Sequence, residues 1–304
     1  MKIKTITVIG STNTDMVIKT SKLPSPGETI LGGNFLMNPG GKGANQAVAA
    51  ARLNGQVILV AKTGEDLFGQ QAKKLFRSEN LDTEYLTSDP VVPSGIALIT
   101  VDDHGENCIV VAPGANARLV REDIVNALPA LMKSEFILMQ LEIPLDTVIY
   151  AAEIAYKAGR KVILNPAPAQ QLPTELLSML YMITPNETEA ELLTGIPVID
   201  IDSAKAAAKI LLGKGVEVAV ITMGSKGALL VTAENAELIP AYKVEAIDTT
   251  AAGDCFNGAL TVALSEGAEL KDAVSFANKA ASISVTRMGA QASAPYRHEI
   301  DITL

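Results

Sequence analysis

Across its 304 residues the chain has no tryptophan, two cysteines, two histidines and an aromatic content of 4%. Cys108 and Cys255 lack ligand-type spacing, so neither a disulfide framework nor a zinc site is expected. Cys255 reads as a small buried thiol. His104 and His298 are the only histidines and read as solvated surface residues, which argues against a histidine-based triad. No apolar run approaches the length that crosses a bilayer. An export signal is not expected either, because Met1 to Gly10 reads as a short strand and Asp15 follows too soon for an apolar core. The expected setting is the cytoplasm. Basic residues are also in deficit, and a formal charge of −9 argues against a nucleic-acid surface.

What is present is apolar sequence in short, punctuated runs, with 48% hydrophobic residues overall. Ile3 to Ile9, Val57 to Ala61, Phe136 to Leu141, Lys161 to Leu164, Met182 to Thr184 and Val218 to Thr222 read as buried strands. Helical patterns over Ala44 to Leu53, Leu67 to Asn80, Leu145 to Ala158, Glu187 to Leu193 and Ser203 to Leu212 fall between several of them. Such alternation predicts one α/β domain over 1–304, with a largely parallel central sheet covered by helices on both faces. Ligands of such sheets gather at the carboxyl ends of the strands. Two segments break the rhythm, 14–36 and 94–111. The first holds Met16-Val17-Ile18 and Thr29-Ile30-Leu31; the second is a hairpin around Asp102 to Glu106. Together they are expected to form a small β lid that excludes water from a bound substrate, or alternatively a surface for subunit contact.

The stretch Ile247-Asp248-Thr249-Thr250-Ala251-Ala252-Gly253-Asp254-Cys255-Phe256-Asn257-Gly258 places small residues and then an acid at the start of an amphipathic helix. Free N–H groups and the dipole at a helix entry favour an anion. An acid in that place suits the removal of a proton beside an incoming phosphoryl group, hence phosphoryl transfer to a hydroxyl. The alternative is that Asp254 merely caps its helix.

Partners for Asp254 lie elsewhere. Asn38-Pro39-Gly40-Gly41-Lys42-Gly43-Ala44-Asn45-Gln46 leads into a helix with three glycines around one lysine, but it is not a P-loop, because Gly43 stands where Ser or Thr is needed. Asp15, in Asn13-Thr14-Asp15, and Glu142, in Gln140-Leu141-Glu142, follow strand ends at the same edge of the sheet. Carboxylates and amides suit a polyol, and acids facing Lys42 disfavour an already phosphorylated acceptor, so a neutral sugar is expected. Thr222-Met223-Gly224-Ser225-Lys226-Gly227 reads as a turn whose backbone lines a nucleotide. Asn186 and Glu189 begin another helix, where Asn186 would contact phosphate or cap, and Glu189 would hold water on Mg²⁺. A Rossmann dehydrogenase is excluded by the single glycine in Gly10-Ser11-Thr12-Asn13.

Gly40 to Asn45 and Asp248 to Asp254 together resemble the two signatures of the phosphofructokinase-B family of carbohydrate kinases, and the resemblance runs from Val8 to the C-terminal segment. It implies ATP-dependent phosphorylation of the 5-hydroxyl of D-ribose. By that resemblance Asn13, Asp15, Gly41, Lys42, Gly43, Ala44, Asn45 and Glu142 would hold the sugar, Asp254 would be the base, and Ala251, Ala252 and Gly253 would form the anion hole. Asn186, Thr222 to Gly227, Gly253 and Asn278 would line ATP, with Glu189 on the Mg²⁺ side. The resemblance also implies a K⁺ site at Asp248, Thr250, Ser284, Arg287, Gly289 and Ser293, mostly through carbonyls, and a homodimer formed through the lid. The wider family often has Gly-Ala-Gly-Asp where this chain has Ala251-Ala252-Gly253-Asp254; Ala251 is expected to lose access to unusual backbone angles. Rival expectations are a sibling kinase of deoxyribose, fructose or a nucleoside, and a non-catalytic sugar or nucleotide sensor.

Overall fold

The computed structural model describes residues 4–302. Its larger sheet has nine strands: β1 (Ile6–Ile9), β4 (Val57–Gly64), β5 (Leu86–Asp89), β8 (Phe136–Met139), β9 (Lys161–Leu164), β10 (Met182–Ile183), β11 (Val218–Thr222), β12 (Ala228–Val231) and β13 (Ala236–Ile239). Their spatial order is β13-β12-β11-β10-β9-β8-β1-β4-β5. All neighbours pair in parallel except β11 with β12 and β12 with β13. The first strand is shorter than its apolar run; Ile3 lies outside the described residues.

Successive side chains of one strand feed two different cores. Phe136 and Leu138 of β8 join Ile6, Val8 and Leu59 in one cluster, while Ile137 and Met139 join Ile9, Val60 and Val162 in the other. Both faces are therefore apolar, so a central strand reads as an unbroken hydrophobic run rather than an alternating one. The Lys42–Arg52, Ala252–Ser265 and Leu270–Ser284 helices cover the first face; the Leu145–Lys157 and Ile201–Gly213 helices cover the second. No helix among the described residues is long and apolar enough to cross a membrane.

A second sheet of four strands has the order β3-β2-β6-β7, with β2 (Asn13–Lys19), β3 (Phe35–Gly40), β6 (Gly95–Val101) and β7 (Asn107–Ala112). The expected hairpin is present, closed where the Asp102 N–H donates to the Glu106 carbonyl. The first segment requires a correction. Thr29 to Leu31 is not a strand, and Leu31 is 97% exposed. The partner of β2 is instead β3, in the register Ile18↔Phe35 to Asn13↔Gly40, so this arm runs to Gly40 instead of stopping near residue 36. The Gly33 N–H donates to the carbonyl of Lys19, the last residue of β2, so the β-prone run ahead of it lies past the end of that strand and has no partner in register.

Candidate active site

Polar residues follow the strands along the carboxyl edge of the large sheet: Ser11 beyond β1, Gln140 beyond β8, Asn165 beyond β9 and Thr184 beyond β10, with Thr222 ending β11. Three helices begin at this edge, at Lys42, Glu187 and Ala252. Their entries meet in a cavity of about 190 Å³ whose walls include Lys42, Asn186, Glu189, Thr222, Ala251, Ala252, Gly253 and Asp254. Convergent helix N-termini make this an anion-binding place.

The glycine-lysine loop is fixed from below. Glu142 Oε2 accepts from the Ser11 hydroxyl at 2.6 Å and from the Lys42 N–H at 2.9 Å, so this acid anchors the loop. Gly41 has φ 88°, and a β-carbon there would come within 2.7 Å of the Asn13 nitrogen. Only glycine permits both the angle and the approach. Asn13 and Asp15 start β2, and the Asn13 Oδ1 accepts from Asn116 Nδ2 at 2.7 Å.

Asp254 is buried in the first turn of the Ala252–Ser265 helix, yet its carboxylate does not cap that helix. Oδ2 accepts from Asn45 Nδ2 and Oδ1 from Gln46 Nε2, both at 2.9 Å. Burial pushes its carboxyl above the ordinary carboxylate range, against the pull of Lys42, Asn45 and Gln46, with Glu142 adding to the upward push. Asp15 is pushed up to about 6 by burial and by the neighbouring charges of Glu142 and Asp254, with Lys42 opposing. Burial works against the Lys42 charge, but Asp254, Glu142, Glu189 and Asp15 outweigh it and raise the ammonium above its usual range. One cation thus stands in the field of four carboxylates. Cys255, next to Asp254, is buried and pushed up to about 12, chiefly by burial, which makes it an inert thiol.

Ala251 overturns the expectation about its backbone: it sits at φ 58°, ψ 16°, in the left-handed region normally left to glycine. The Ala252 N–H, one of the donors expected at the anion site, is engaged by the Thr249 carbonyl at 3.2 Å. Asn186 caps its helix, accepting from the Glu189 N–H at 2.8 Å, while Glu189 Oε2 accepts from the Asn186 N–H at 2.9 Å. Both also line the cavity. Burial leads the rise of the Glu189 carboxyl above its usual range.

Of the 222–227 turn, only Thr222 lines the cavity; Gly224 to Lys226 form a short exposed helical turn beyond it. Asn278 is likewise not part of that lining, and its amide donates to the Ile239 and Pro240 carbonyls at 2.9 and 3.2 Å. The 247–250 and 284–293 loops are tied together. Ile247 and Asp248 N–H groups both donate to the Val285 carbonyl, and the Asp248 carboxylate accepts from Thr250 and Gly289 N–H groups. The Ser284 and Ser293 hydroxyls donate to the Ala281 and Ala290 carbonyls, and the Arg287 guanidinium pairs with Glu299.

Sequence reasoning assigned no role to Gln46, Asn116, Gln140, Asn165 or Asn257, all buried among polar contacts around the site. Gln46 left one trace, the second of two adjacent amides, Asn45 and Gln46, between Ala44 and Ala47 in the buried part of its helix. Gln140 and Asn165 end apolar runs, Asn116 lies in the turn Gly114–Arg118 and Asn257 in the helix-entry stretch, and nothing beside them in sequence marks the distant groups they meet.

The model of the pfkB family carbohydrate kinases matches residues 3–297. The chain is 47% identical over 296 residues to a ribokinase of Haemophilus influenzae, covering 97% of each chain. It is 40% identical over 291 residues to a deoxyribokinase of Salmonella typhi, covering 95% of each. Its structure is similar to that of Arabidopsis thaliana ribokinase complexed with ribose and ATP, with a TM-score of 0.92, 31% identity and 98% of each chain covered.

Proposed function

This chain belongs to the pfkB family of carbohydrate kinases, and from that membership we propose that it transfers the γ-phosphoryl group of ATP to the 5-hydroxyl of D-ribose, giving D-ribose 5-phosphate and ADP. The observation that carries this is the Asp254 carboxylate, held by two amide donors inside a cavity that Lys42 and three helix entries share. Asp254 takes the hydroxyl proton as the sugar oxygen bonds to the γ-phosphorus and the bond to the β,γ-bridging oxygen breaks, leaving ADP. Gly253 N–H and Ala252 N–H stabilise the charge on the transferring group, once Ala252 exchanges the Thr249 carbonyl for a phosphoryl oxygen. Asn13, Asp15, Gly41, Lys42, Gly43, Asn45 and Glu142 bind the sugar hydroxyls, with Ala44 in the same loop. ATP lies along Asn186 and Thr222 and extends out of the cavity toward the turn from Met223 to Gly227 and toward Asn278.

Glu189 presents a buried carboxylate at the cavity, with one oxygen committed to its own cap, which fits a Mg²⁺ ion bound mainly through water and nucleotide phosphates. That ion would supply charge neutralisation for the phosphoryl oxygens. Asp248, Thr250, Ser284, Arg287, Gly289 and Ser293 fit K⁺ through carbonyls, because the Asp248 oxygens already accept N–H groups and the Arg287 side chain is turned to Glu299. An ordered 247–250 loop then supports the Ala251 turn.

The second sheet acts as the lid. The register places Asp15, Val17, Leu36 and Ile109 on one face, and Met16, Ile18, Phe35, Met37, Leu98 and Val110 on the other. The first face carries the acid and covers the sugar; the second, with its exposed apolar side chains, pairs with another copy of the chain. The similarity to a deoxyribokinase favours 2-deoxyribose as the second acceptor to test. ADP release with ribose, 2-deoxyribose and fructose decides between them, with Asp254→Asn as the control. Loss of roughly a hundred- to ten-thousand-fold in turnover is expected in that variant, with sugar binding retained. Near-full turnover would remove Asp254 as the base, and ribose ranking below the other sugars would remove the assigned acceptor.

A further inference from the structure

Beneath Asp254 lies a row of buried amides in which Asn165 reaches the cavity wall, whereas Gln46 and Gln140 do not. Gln46 Nε2 donates to Asp254 Oδ1 at 2.9 Å and to Asn165 Oδ1 at 3.0 Å. Gln46 Oε1 accepts from Gln140 Nε2 at 2.6 Å. Gln46 and Gln140 are fully buried. A glutamine amide has two N–H groups and one carbonyl oxygen, and here both ends are committed, so the group has a single orientation. Flipping it would set its oxygen against the Asp254 carboxylate.

Neighbouring residues hold the row from both sides. Asn165 Nδ2 donates to the Thr184 carbonyl at 3.2 Å, and the Thr184 hydroxyl donates to Asn257 Oδ1 at 2.6 Å. Asn257 Nδ2 returns to the Gly253 carbonyl at 2.8 Å, on the helix that carries Asp254. At the other end, Gln140 Oε1 is buried without a hydrogen-bond partner. It occupies the space left by Gly10, where a β-carbon would lie 2.2 Å from it. A buried polar atom left unsatisfied is costly. That expense is consistent with a side chain retained for what its other end holds.

We infer that Gln46, oriented by Gln140 and Asn165, is the positioning residue of the catalytic base. It fixes the rotamer of Asp254 and, by donating to the charged form, keeps a buried carboxylate able to accept a proton near neutral pH. This rests on Asp254 being the base. Hydrogen bonds to the ionised form lower a carboxyl pKa, so their removal moves the group upward and leaves less of it ready to accept a proton.

The test uses the full chain with Gln46→Met, Gln140→Met and Asp254→Asn, each checked by circular dichroism, with kcat and KM for ribose followed from pH 5 to 9. In Gln46→Met the acid limb of kcat should move toward higher pH by about one unit. Its kcat at pH 7 should fall roughly tenfold to a hundredfold with KM for ribose within about twofold, the signature of a misplaced base. Gln140→Met, which does not touch Asp254, should move the limb the same way by less. Titration of ATP itself is common to all variants and cancels. An unmoved acid limb in folded Gln46→Met overturns the inference, as does a parallel loss in kcat and sugar affinity. Should Gln46→Met fail to fold, Gln140→Met decides alone by the same criterion. Full turnover in Asp254→Asn would instead strike the base assignment beneath it, which is a separate failure.

Discussion

Asn116 pairs with Thr12 as a neighbouring strand would. Its Oδ1 accepts the Thr12 N–H at 2.9 Å, and its Nδ2 donates to the Thr12 carbonyl at 3.1 Å while also reaching Asn13 Oδ1 at 2.7 Å. One buried side chain therefore closes the gap between β1 and β2 and orients Asn13. Asn116→Leu removes these bonds and strands the Thr12 amide and carbonyl. The expected loss is about 2–4 kcal/mol of stability, together with a KM for ribose that rises more than kcat falls. Urea denaturation and steady-state kinetics measure the two effects; unchanged stability would show that Thr12 finds other partners.

The burial of Asp15 is a source of instability in the fold. Its carboxyl titrates at about 6 in the fold against an ordinary 3.8, so between those values the folded chain holds a proton that the unfolded chain releases. Stability contributed by this group falls as the pH rises through that window and is lowest above about 6. Asp15→Asn should stabilise the unliganded protein at pH 7 by at most about 3 kcal/mol, with the gain vanishing near pH 4, while ribose binding weakens. Urea midpoints at the two pH values decide it, and a gain equal at both would contradict the assignment.

Ala251 occupies a left-handed turn at φ 58°, a conformation that disfavours an L side chain by about 1–2 kcal/mol. Ala251→Gly relieves that strain but loosens the unfolded chain by about 0.4–1 kcal/mol, so the melting temperature should change little and turnover should persist. Ala251→Val places a β-branched residue where such angles are rare, and both melting temperature and kcat should drop. Equal behaviour of the two variants would mean that the turn relaxes freely.

The face of the second sheet on which Phe35, Met37, Leu98 and Val110 are exposed is proposed to hold two copies together. Leu98→Lys with Val110→Lys puts unpaired charges into that contact. Sedimentation equilibrium is expected to show a dimer for the parent chain and a monomer for the double variant. A parent chain that sediments as a monomer at assay concentration would discard the lid contact.

Much of this protein is local information. The runs that became β8, β9 and β11 and the Leu145–Lys157 helix are legible because a strand buried on both faces and a helix buried on one leave their periods in the chain itself. The glycine-lysine loop and the Ala252–Ser265 helix entry are legible for a similar reason, since small residues beside charged ones mark backbone kept open for a ligand. Tertiary structure decided the rest. Thr29 to Leu31 has the composition of a strand but no partner in register, whereas Phe35–Gly40 has one in β2. Gln46, Gln140 and Asn165 lie 94 and 119 positions apart along their hydrogen bonds, and no window of sequence contains such a pairing. Even Ala251 took an angle its type disfavours, because the bonds around the turn outweigh the strain. Periodicity records what one segment buries; which distant groups meet, and in what orientation, is set only when the whole chain closes its hydrogen bonds.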